Sequence, residues 1–364
     1  MAPRHTVGVV FGGRSTEHQI SIRSARSVTR ALREGGHRVY PLGVALDGSW
    51  LDRETSQTAL SGERDTLEAP GSSVGGEVLA SLRHLLEAPV EVAFPLIHGT
   101  WGEDGTLQGL FEMLDLPYVG AGVAASAIAM DKVQCKRLLE AVGVPTVDFI
   151  AVRRAQWAEQ REEILQQVTR LCGPPIFVKP AVGGSSVGVR RVVEPRDISA
   201  AIDFALRFDD QVLIERGVAG RELECAVLGY ENLQASVVGE IIPGAEFYDY
   251  ADKYIDDGAR LEMPAQLPDA LAGRIRDTAV EAFASIGGIG MARVDFLLEG
   301  DDGLFVNEIN TLPGFTDISM YPKLWELAGV PLPDLAGRLV DVAVRRHADR
   351  GKLNEGIHDF IKEL

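Results

Sequence analysis

Ile176-Phe-Val-Lys179-Pro-Ala-Val-Gly183-Gly-Ser185-Ser186-Val-Gly188-Val-Arg-Arg-Val-Val193 decides how the chain is to be read. The apolar runs Ile176 to Lys179 and Val187 to Val193 predict two strands, and the glycines and serines between them predict a turn from strand to strand. A Walker A loop joins a strand to a helix, so that phosphate-binding class is excluded. Lys179 ends a buried strand just before the turn, where its ammonium and several unhindered backbone N–H groups can converge on phosphate oxygens. A flap over a triphosphate is the functional reading, and an ordinary Gly-Ser turn is the plain alternative.

Upstream, Val7 to Phe11 predicts a buried parallel strand, Gly12-Gly13 a turn, and Ser15 to Arg33 a helix stopped by Gly35-Gly36. His37 to Val44 predicts a second strand; Val90 to Ile97 and a helix from Thr106 to Asp115 extend the βαβ order, so this part reads as Rossmann-like. Asp47 to about Gly76, rich in Ser, Gly, Thr and charge, predicts an elaborated surface loop without chemistry. One helical pattern runs from Ala124 to Val142, another from Gln156 to Leu171 and a third from Ile198 to Phe208. The strands Gln211 to Glu215 and Leu223 to Gly229 follow, with Gly217 and Gly220 at the bend between them.

Further on, Gly290-Met-Ala-Arg293-Val-Asp295-Phe-Leu-Leu298 alternates with a period of two, placing Arg293 and Asp295 on one face and Ala292, Val294, Phe296 and Leu298 on the other. Leu304, Val306, Glu308 and Asn310 are expected to share a face of the partner strand. With Gly300-Asp-Asp-Gly303 as the loop, Asp295 falls opposite Glu308 and Arg293 opposite Asn310. Two carboxylates facing each other on a sheet destabilise it unless a cation compensates. Magnesium suits a set of two carboxylates and an amide oxygen, with phosphate and water completing its shell. A solvated strand face neutralised by Arg293 is the competing reading.

The 364 residues are 46% hydrophobic, enough to bury a sizeable core in two or three domains. Lys and Arg number 36 against 53 Asp and Glu, a net charge of −17 that repels nucleic acid and anionic lipid, so an anionic substrate needs a local basic pocket. Cys135, Cys172 and Cys225 show neither zinc nor disulfide spacing, and the apolar stretch from Val7 to Phe11 is too short for a leader or membrane span. A cytoplasmic protein without a membrane or nucleic-acid partner is expected.

Other motifs are weaker alone. His98-Gly-Thr-Trp-Gly-Glu-Asp-Gly105 lies at the carboxyl end of an apolar strand, where open α/β sheets place their ligand crevices, although a lone histidine is more often structural. Glu17 falls in the first helical turn, where a carboxylate also serves the helix dipole. Glu222 and Glu224 share a strand face that could hold ribose hydroxyls or simply meet solvent. Phe247-Tyr-Asp-Tyr-Ala-Asp-Lys253-Tyr254 reads as a loop closing over a site. Asn310-Thr-Leu-Pro-Gly314 turns the chain, and Thr316 to Met320 opens a helix that offers the Ser319 hydroxyl.

Taken in order, GGRSTEH, HGTWGEDG, MDK, FVKP with GGSSVG, ERGVAGRE, FYDYADKY, ARVDF and NEINTLPG resemble the D-alanine:D-alanine ligases of the ATP-grasp class, from Gly12 to about Tyr321. The resemblance implies an α/β (α+β) ATP-grasp fold: a Rossmann-like N-terminal domain at 1–122, then two subdomains, 123–217 and 218–364, sandwiching ATP. It implies that one D-alanine carboxylate attacks the γ-phosphate of ATP and that the amine of a second D-alanine attacks the resulting acylphosphate. The product would serve peptidoglycan precursor synthesis, and thus cell-wall biogenesis and cell shape.

By the same resemblance, Lys132, Lys179 and Ser186 would lie at the phosphates, Glu215 and Val218 at the adenine edge, and Glu222 on ribose. Asp295, Glu308 and Asn310 would bind two magnesium ions, with manganese as an expected substitute. Glu17 would take the first ammonium, His98 would stand near the first substrate, and Arg293 with the Gly314 amide would meet the oxyanion. Ser319 and Lys253 would reach the second carboxylate, and Ser185, Tyr254 and Glu17 would form a hydrogen-bonded chain that closes the site. Tyr254 would favour an amine as second nucleophile, and a homodimer is expected. The long stretch at 47–76 and the apolar Ala181-Val182 depart from some relatives. Rival readings are another ATP-grasp amide-forming ligase and a non-catalytic nucleotide-binding module.

Overall fold

The computed structural model describes residues 4–69, 75–171, 173–242 and 260–363. The first sheet is parallel and three-stranded, with β1 (Thr6–Gly12) between β2 (Arg38–Val44) and β3 (Val92–Pro95). Every residue of β1 is buried, as expected of a strand covered on both faces. Helix α1 (His18–Glu34) follows the Gly12-Gly13 turn and ends at Gly35-Gly36, near the expected limits. Gly12 and Gly13 have φ of +91° and +84°, and a Cβ on Gly12 would stand 2.3 Å from the Val44 carbonyl. No larger residue could turn the chain so tightly there.

The stretch at 47–76 is not the plain loop expected. It contains a helix, Arg53–Leu60, capped by Asp52 accepting from the Thr55 N–H at 2.8 Å. Leu67 is buried, and its N–H donates to His18 Nε2 at 3.0 Å. Since His18 Nδ1 contacts the Gly13 carbonyl at 2.8 Å, the ring clamps this insertion to the turn preceding α1.

Two antiparallel sheets follow. The four-stranded one has the order β4-β7-β5-β6, with β4 Phe149–Arg153, β5 Ile176–Pro180, β6 Arg190–Val192 and β7 Gln211–Arg216. The five-stranded one has the order β10-β9-β8-β11-β12, with β8 Arg221–Gly229, β9 Gln234–Ile242, β10 Arg260–Glu262, β11 Gly290–Glu299 and β12 Gly303–Asn310. Helix Asp269–Ser285 packs Ile275, Ala279 and Phe283 into the core of the second of these sheets.

Two expected helices are each divided. The pattern from Ala124 to Val142 breaks at Asp131 into Val123–Met130 and Lys132–Ala141, because the Asp131 carboxylate accepts from the N–H groups of Val133 and Gln134 and starts a new helix. The pattern from Gln156 to Leu171 divides at Gln160 into Arg154–Glu159 and Arg161–Leu171. The expected strand from Val187 is also shorter. Ser185 and Ser186, with φ of +52° and +56°, form a tight turn closed by the Val187 N–H on the Gly184 carbonyl at 3.1 Å. That turn consumes the chain up to Gly188, so β6 pairs only at Arg190–Val192.

Candidate active site

Strand alternation on β11 buries Ala292, Val294, Phe296 and Leu298 and turns Arg293 and Asp295 towards a cleft. The register pairs Asp295 with Glu308 and Arg293 with Asn310, as expected. Between Asp295 and Phe296 the register shifts by one residue, so Phe296 pairs with Val306 and Asn307 is the extra residue of a bulge. Leu304 and Val306 are therefore buried with Ile309, on the face opposite Glu308 and Asn310, and the expected shared face is corrected.

Arg293 grips Asp295 through Nε to Oδ1 and a terminal nitrogen to Oδ2, each at 2.7 Å, and its Nε lies 3.1 Å from Glu224 Oε2. Burial disfavours the guanidinium charge, but Asp295 and Glu224 reverse that and hold its pKa well above the ordinary value. Asn310 Oδ1 accepts from the Leu312 N–H at 3.1 Å, which fixes the carboxamide.

On the facing side, Lys132 starts its helix with its N–H on the Ala181 carbonyl at 2.9 Å and reaches the Gly183 carbonyl with Nζ at 2.5 Å. It thereby holds the Gly-rich loop over the cleft. Lys179 pairs with Glu215 at 2.5 Å, and Lys136 pairs with the other Glu215 oxygen at 2.6 Å. Burial pushes the Glu215 carboxyl up, but the two lysines outweigh it and bring it down to about 2. Burial likewise works against the Lys179 charge, and Glu215, Glu308 and Glu222 hold it above its ordinary value.

From the first sheet come Glu17, the residue before α1, and His98. Glu17 is the N-cap residue of α1 and lines the cleft, with no side-chain hydrogen bond capping the helix. His98 is buried, with Nδ1 2.9 Å from the Leu312 carbonyl and Nε2 3.4 Å from Ser24 Oγ. A carbonyl only accepts, so Nδ1 carries the proton and Nε2 faces the serine. Ser319 Oγ accepts from the Thr316 N–H at 2.9 Å and lies 2.7 Å from the Thr316 hydroxyl, with helix Met320–Leu327 starting just after it. A Cβ on Gly314 would approach that Oγ to 2.9 Å, so glycine keeps the backbone amide open there.

These walls enclose a cleft of about 670 Å³ lined by Glu17, His98, Lys132, Ser185, Glu222, Arg293, Asp295, Glu308, Asn310, Gly314 and Ser319. The helical face Arg23, Arg26 and Arg30 lines it too, which supplies the local basic surface that the −17 charge demands.

Family models for the D-ala D-ala ligase N-terminus and C-terminus match residues 6–121 and 138–341. The chain belongs to the D-alanine–D-alanine ligase family. Its sequence is 44% identical to D-alanine–D-alanine ligase A of Chromobacterium violaceum, over 96% of this chain and 97% of that one. It is 45% identical to the D-alanine–D-alanine ligase of Mycobacterium sp. (strain KMS), over 94% and 97%. Among solved structures it is similar to the D-alanine-D-alanine ligase from Coxiella burnetii, with TM-score 0.84, 34% identity and coverage of 99% and 100%. It is also similar to the VanG D-Ala:D-Ser ligase from Enterococcus faecalis, with TM-score 0.79, 28% identity and coverage of 93% and 99%. The fold is the ATP-grasp fold of these ligases.

Set against the D-alanine–D-alanine ligase expectation, most named residues converge on the cleft. Lys179 and Glu215 lie behind its wall as a buried ion pair, and Ser186 and Val218 are not among the lining residues. Lys253 and Tyr254 lie outside the described residues. Asp295, Glu308 and Asn310 offer two carboxylates and an amide; among the described residues no three His, Cys, Asp or Glu side chains form a metal cluster. An all-oxygen, partial set of this kind fits magnesium, which keeps water and substrate phosphate in its shell.

Lys136 was not singled out from the sequence, and Glu224 and Glu103 were read without the contacts they make. Glu224 holds Arg293, Lys136 holds Glu215, and Glu103 lines the cleft with Oε1 accepting from the Gly99 N–H at 2.6 Å. Burial, then Glu17, raises the Glu103 carboxyl to about 8. Lys136 had a signal: it interrupts the apolar series Val133, Lys136, Leu139, as a lysine destined for the interior does. Glu224 had its alternation with Leu223 and Cys225.

Proposed function

We propose that this chain joins two D-alanine molecules into D-alanyl-D-alanine, converting ATP to ADP and phosphate, for peptidoglycan precursor synthesis. The convergence of Lys132 and the Gly-rich loop with Arg293, Asp295 and Glu308 in one cleft carries the reading, together with the family match across most of the chain. A three-part division at 1–122, 123–217 and 218–364 belongs to this proposal, as do a homodimer and a cytoplasmic site of action.

ATP lies between the two antiparallel sheets, with Lys132, Lys179, Ser186 and the loop amides at the phosphates, Glu215 and Val218 at the adenine and Glu222 at the ribose. Asp295, Glu308 and Asn310 hold magnesium, two ions per site with manganese able to replace them. Magnesium, when bound, neutralises phosphate charge and orients the γ-phosphoryl group. Glu17 binds the ammonium of the first D-alanine, with His98 beside it, and leaves its carboxylate to attack the γ-phosphate. Arg293 and the Gly314 amide stabilise the oxyanion formed when the second amine attacks the acylphosphate. Ser319 and Lys253 hold the second carboxylate, and Ser185 with Tyr254 and Glu17 closes the site so that water does not intercept the acylphosphate.

Phosphate release from Mg-ATP, measured with D-alanine and with L-alanine alongside detection of the dipeptide, tests the proposal. Release with D-alanine alone and formation of D-alanyl-D-alanine are expected. Equal release with both enantiomers overturns it.

A further inference from the structure

Three charged side chains are buried together behind the Gly-rich loop. The Glu215 carboxylate meets Lys179 of β5 at 2.5 Å and Lys136, from helix Lys132–Ala141, at 2.6 Å. Around it the strand partners of Glu215 are apolar, Phe149 on β4 and Phe177 on β5. The neighbouring Arg216 turns away to Glu299 at 2.7 Å. Glu222 and Glu308 act on Lys179 from the cleft side.

The two lysines are not equivalent. Each ammonium lies 5.8 Å from a phenylalanine ring, but Lys136 has a side chain only 2% exposed and also lies 3.4 Å from the Val147 carbonyl. Lys179 is 16% exposed. Lys179 can therefore turn towards a ligand, whereas Lys136 has nowhere else to go. The Lys136 ammonium and the Glu215 carboxylate are both buried, so parting either from its ionic partner is costly.

We propose that Lys136 is a positioning residue for the nucleotide: it holds Glu215 ionised and in place when Lys179 turns to the phosphates of ATP. This rests on the reading of Lys179 and Glu215 as nucleotide-binding residues. With Lys179 as its sole partner, Glu215 would lose its counter-ion on ATP binding and, being buried, would take up a proton. A protonated carboxyl would no longer accept freely from the amino group of the base. Lys136 removes that coupling, so ATP binding needs no proton at Glu215.

The test is Lys136→Met in the full chain, with Mg-ATP binding measured by calorimetry from about pH 7 to about pH 9, in buffers of differing ionisation enthalpy. The native protein should bind with no proton uptake that depends on Lys136 and with Kd changing less than about threefold across the range. The variant should take up close to one additional proton per ATP, its Kd rising about tenfold per pH unit at the alkaline end. A general packing defect would weaken binding equally at every pH and overturns the proposal, as does native-like binding by the variant.

Should Lys136→Met fail to fold, Lys136→Gln, which keeps a polar end for the Val147 carbonyl, is measured in the same way with the same outcomes for and against. In whichever single variant shows the slope, adding Glu215→Gln should abolish it, because the amide has no proton to gain, and a slope that persists overturns the proposal. Lys179→Met separates the underlying reading: native-like ATP binding there shows that Lys179 does not serve the nucleotide at all.

Discussion

Arg293 and Asp295 stand two residues apart on one strand and are joined by two hydrogen bonds of 2.7 Å. One is proposed for the oxyanion and the other for the metal, so each engages the other's working group. Glu224, 3.1 Å from Arg293 Nε, supplies the guanidinium with a second carboxylate when Asp295 turns to a cation. The same logic recurs at Glu215 with its two lysines, and in both places the buried charge keeps a partner throughout.

Arg293→Lys keeps the charge but loses the planar two-point grip. Turnover should fall by about 100-fold, the scale of losing one oxyanion donor. Steady-state kinetics with D-alanine varied checks this; a change confined to the KM for D-alanine would contradict an oxyanion role.

Glu308→Gln keeps the volume and removes the repulsion between Glu308 and Asp295, which pair directly across the hairpin. The fold should be at least as stable as the native one without metal, while turnover drops and the magnesium concentration needed for half-maximal rate rises about tenfold or more. A magnesium titration of initial rates gives the answer, and unchanged turnover refutes the metal role.

The hairpin shows how far the sequence could be read. Alternation and pairing placed Asp295 opposite Glu308, because β11 keeps a strict period of two. It missed the bulge at Asn307, although Leu304, Val306 and Ile309 carried the signal: the apolar spacing lengthens from two to three there. Asp131 and Asp52 were passed over as helix caps because each lies inside a stretch read as something else. The Lys136–Glu215 pair was out of reach altogether, since 78 residues lie between the two positions and only the tertiary fold brings them together.

His18 bears on acid stability. Burial, only partly offset by its hydrogen bond to Gly13, lowers its pKa below 6.5. In the window between the lowered folded value and 6.5 the unfolded chain binds more protons, so stability is complete above 6.5 and is lost as pH falls. A second proton would also put an N–H against the Leu67 N–H, now 3.0 Å away, and release the insertion. His18→Gln should therefore flatten the fall of the urea midpoint between about pH 6.5 and about pH 5, leaving the smaller slope due to His37, also lowered by burial. An unchanged slope would assign the acid sensitivity elsewhere.

Glu103 gives the opposite sign. Its folded carboxyl titrates at about 8, against 4.5 when unperturbed, so between these values the folded protein holds a proton that the unfolded chain has released. Stability then falls as pH rises through that window. Glu103→Gln presents a permanently neutral side chain and keeps an oxygen for the Gly99 N–H, at 2.6 Å in the native protein. Melting temperatures of the two proteins should converge near about pH 5 and separate towards about pH 8, with the variant higher. A variant that melts lower at pH 8 would show that Glu103 is needed there as a carboxylate, paired to a cation in the folded state.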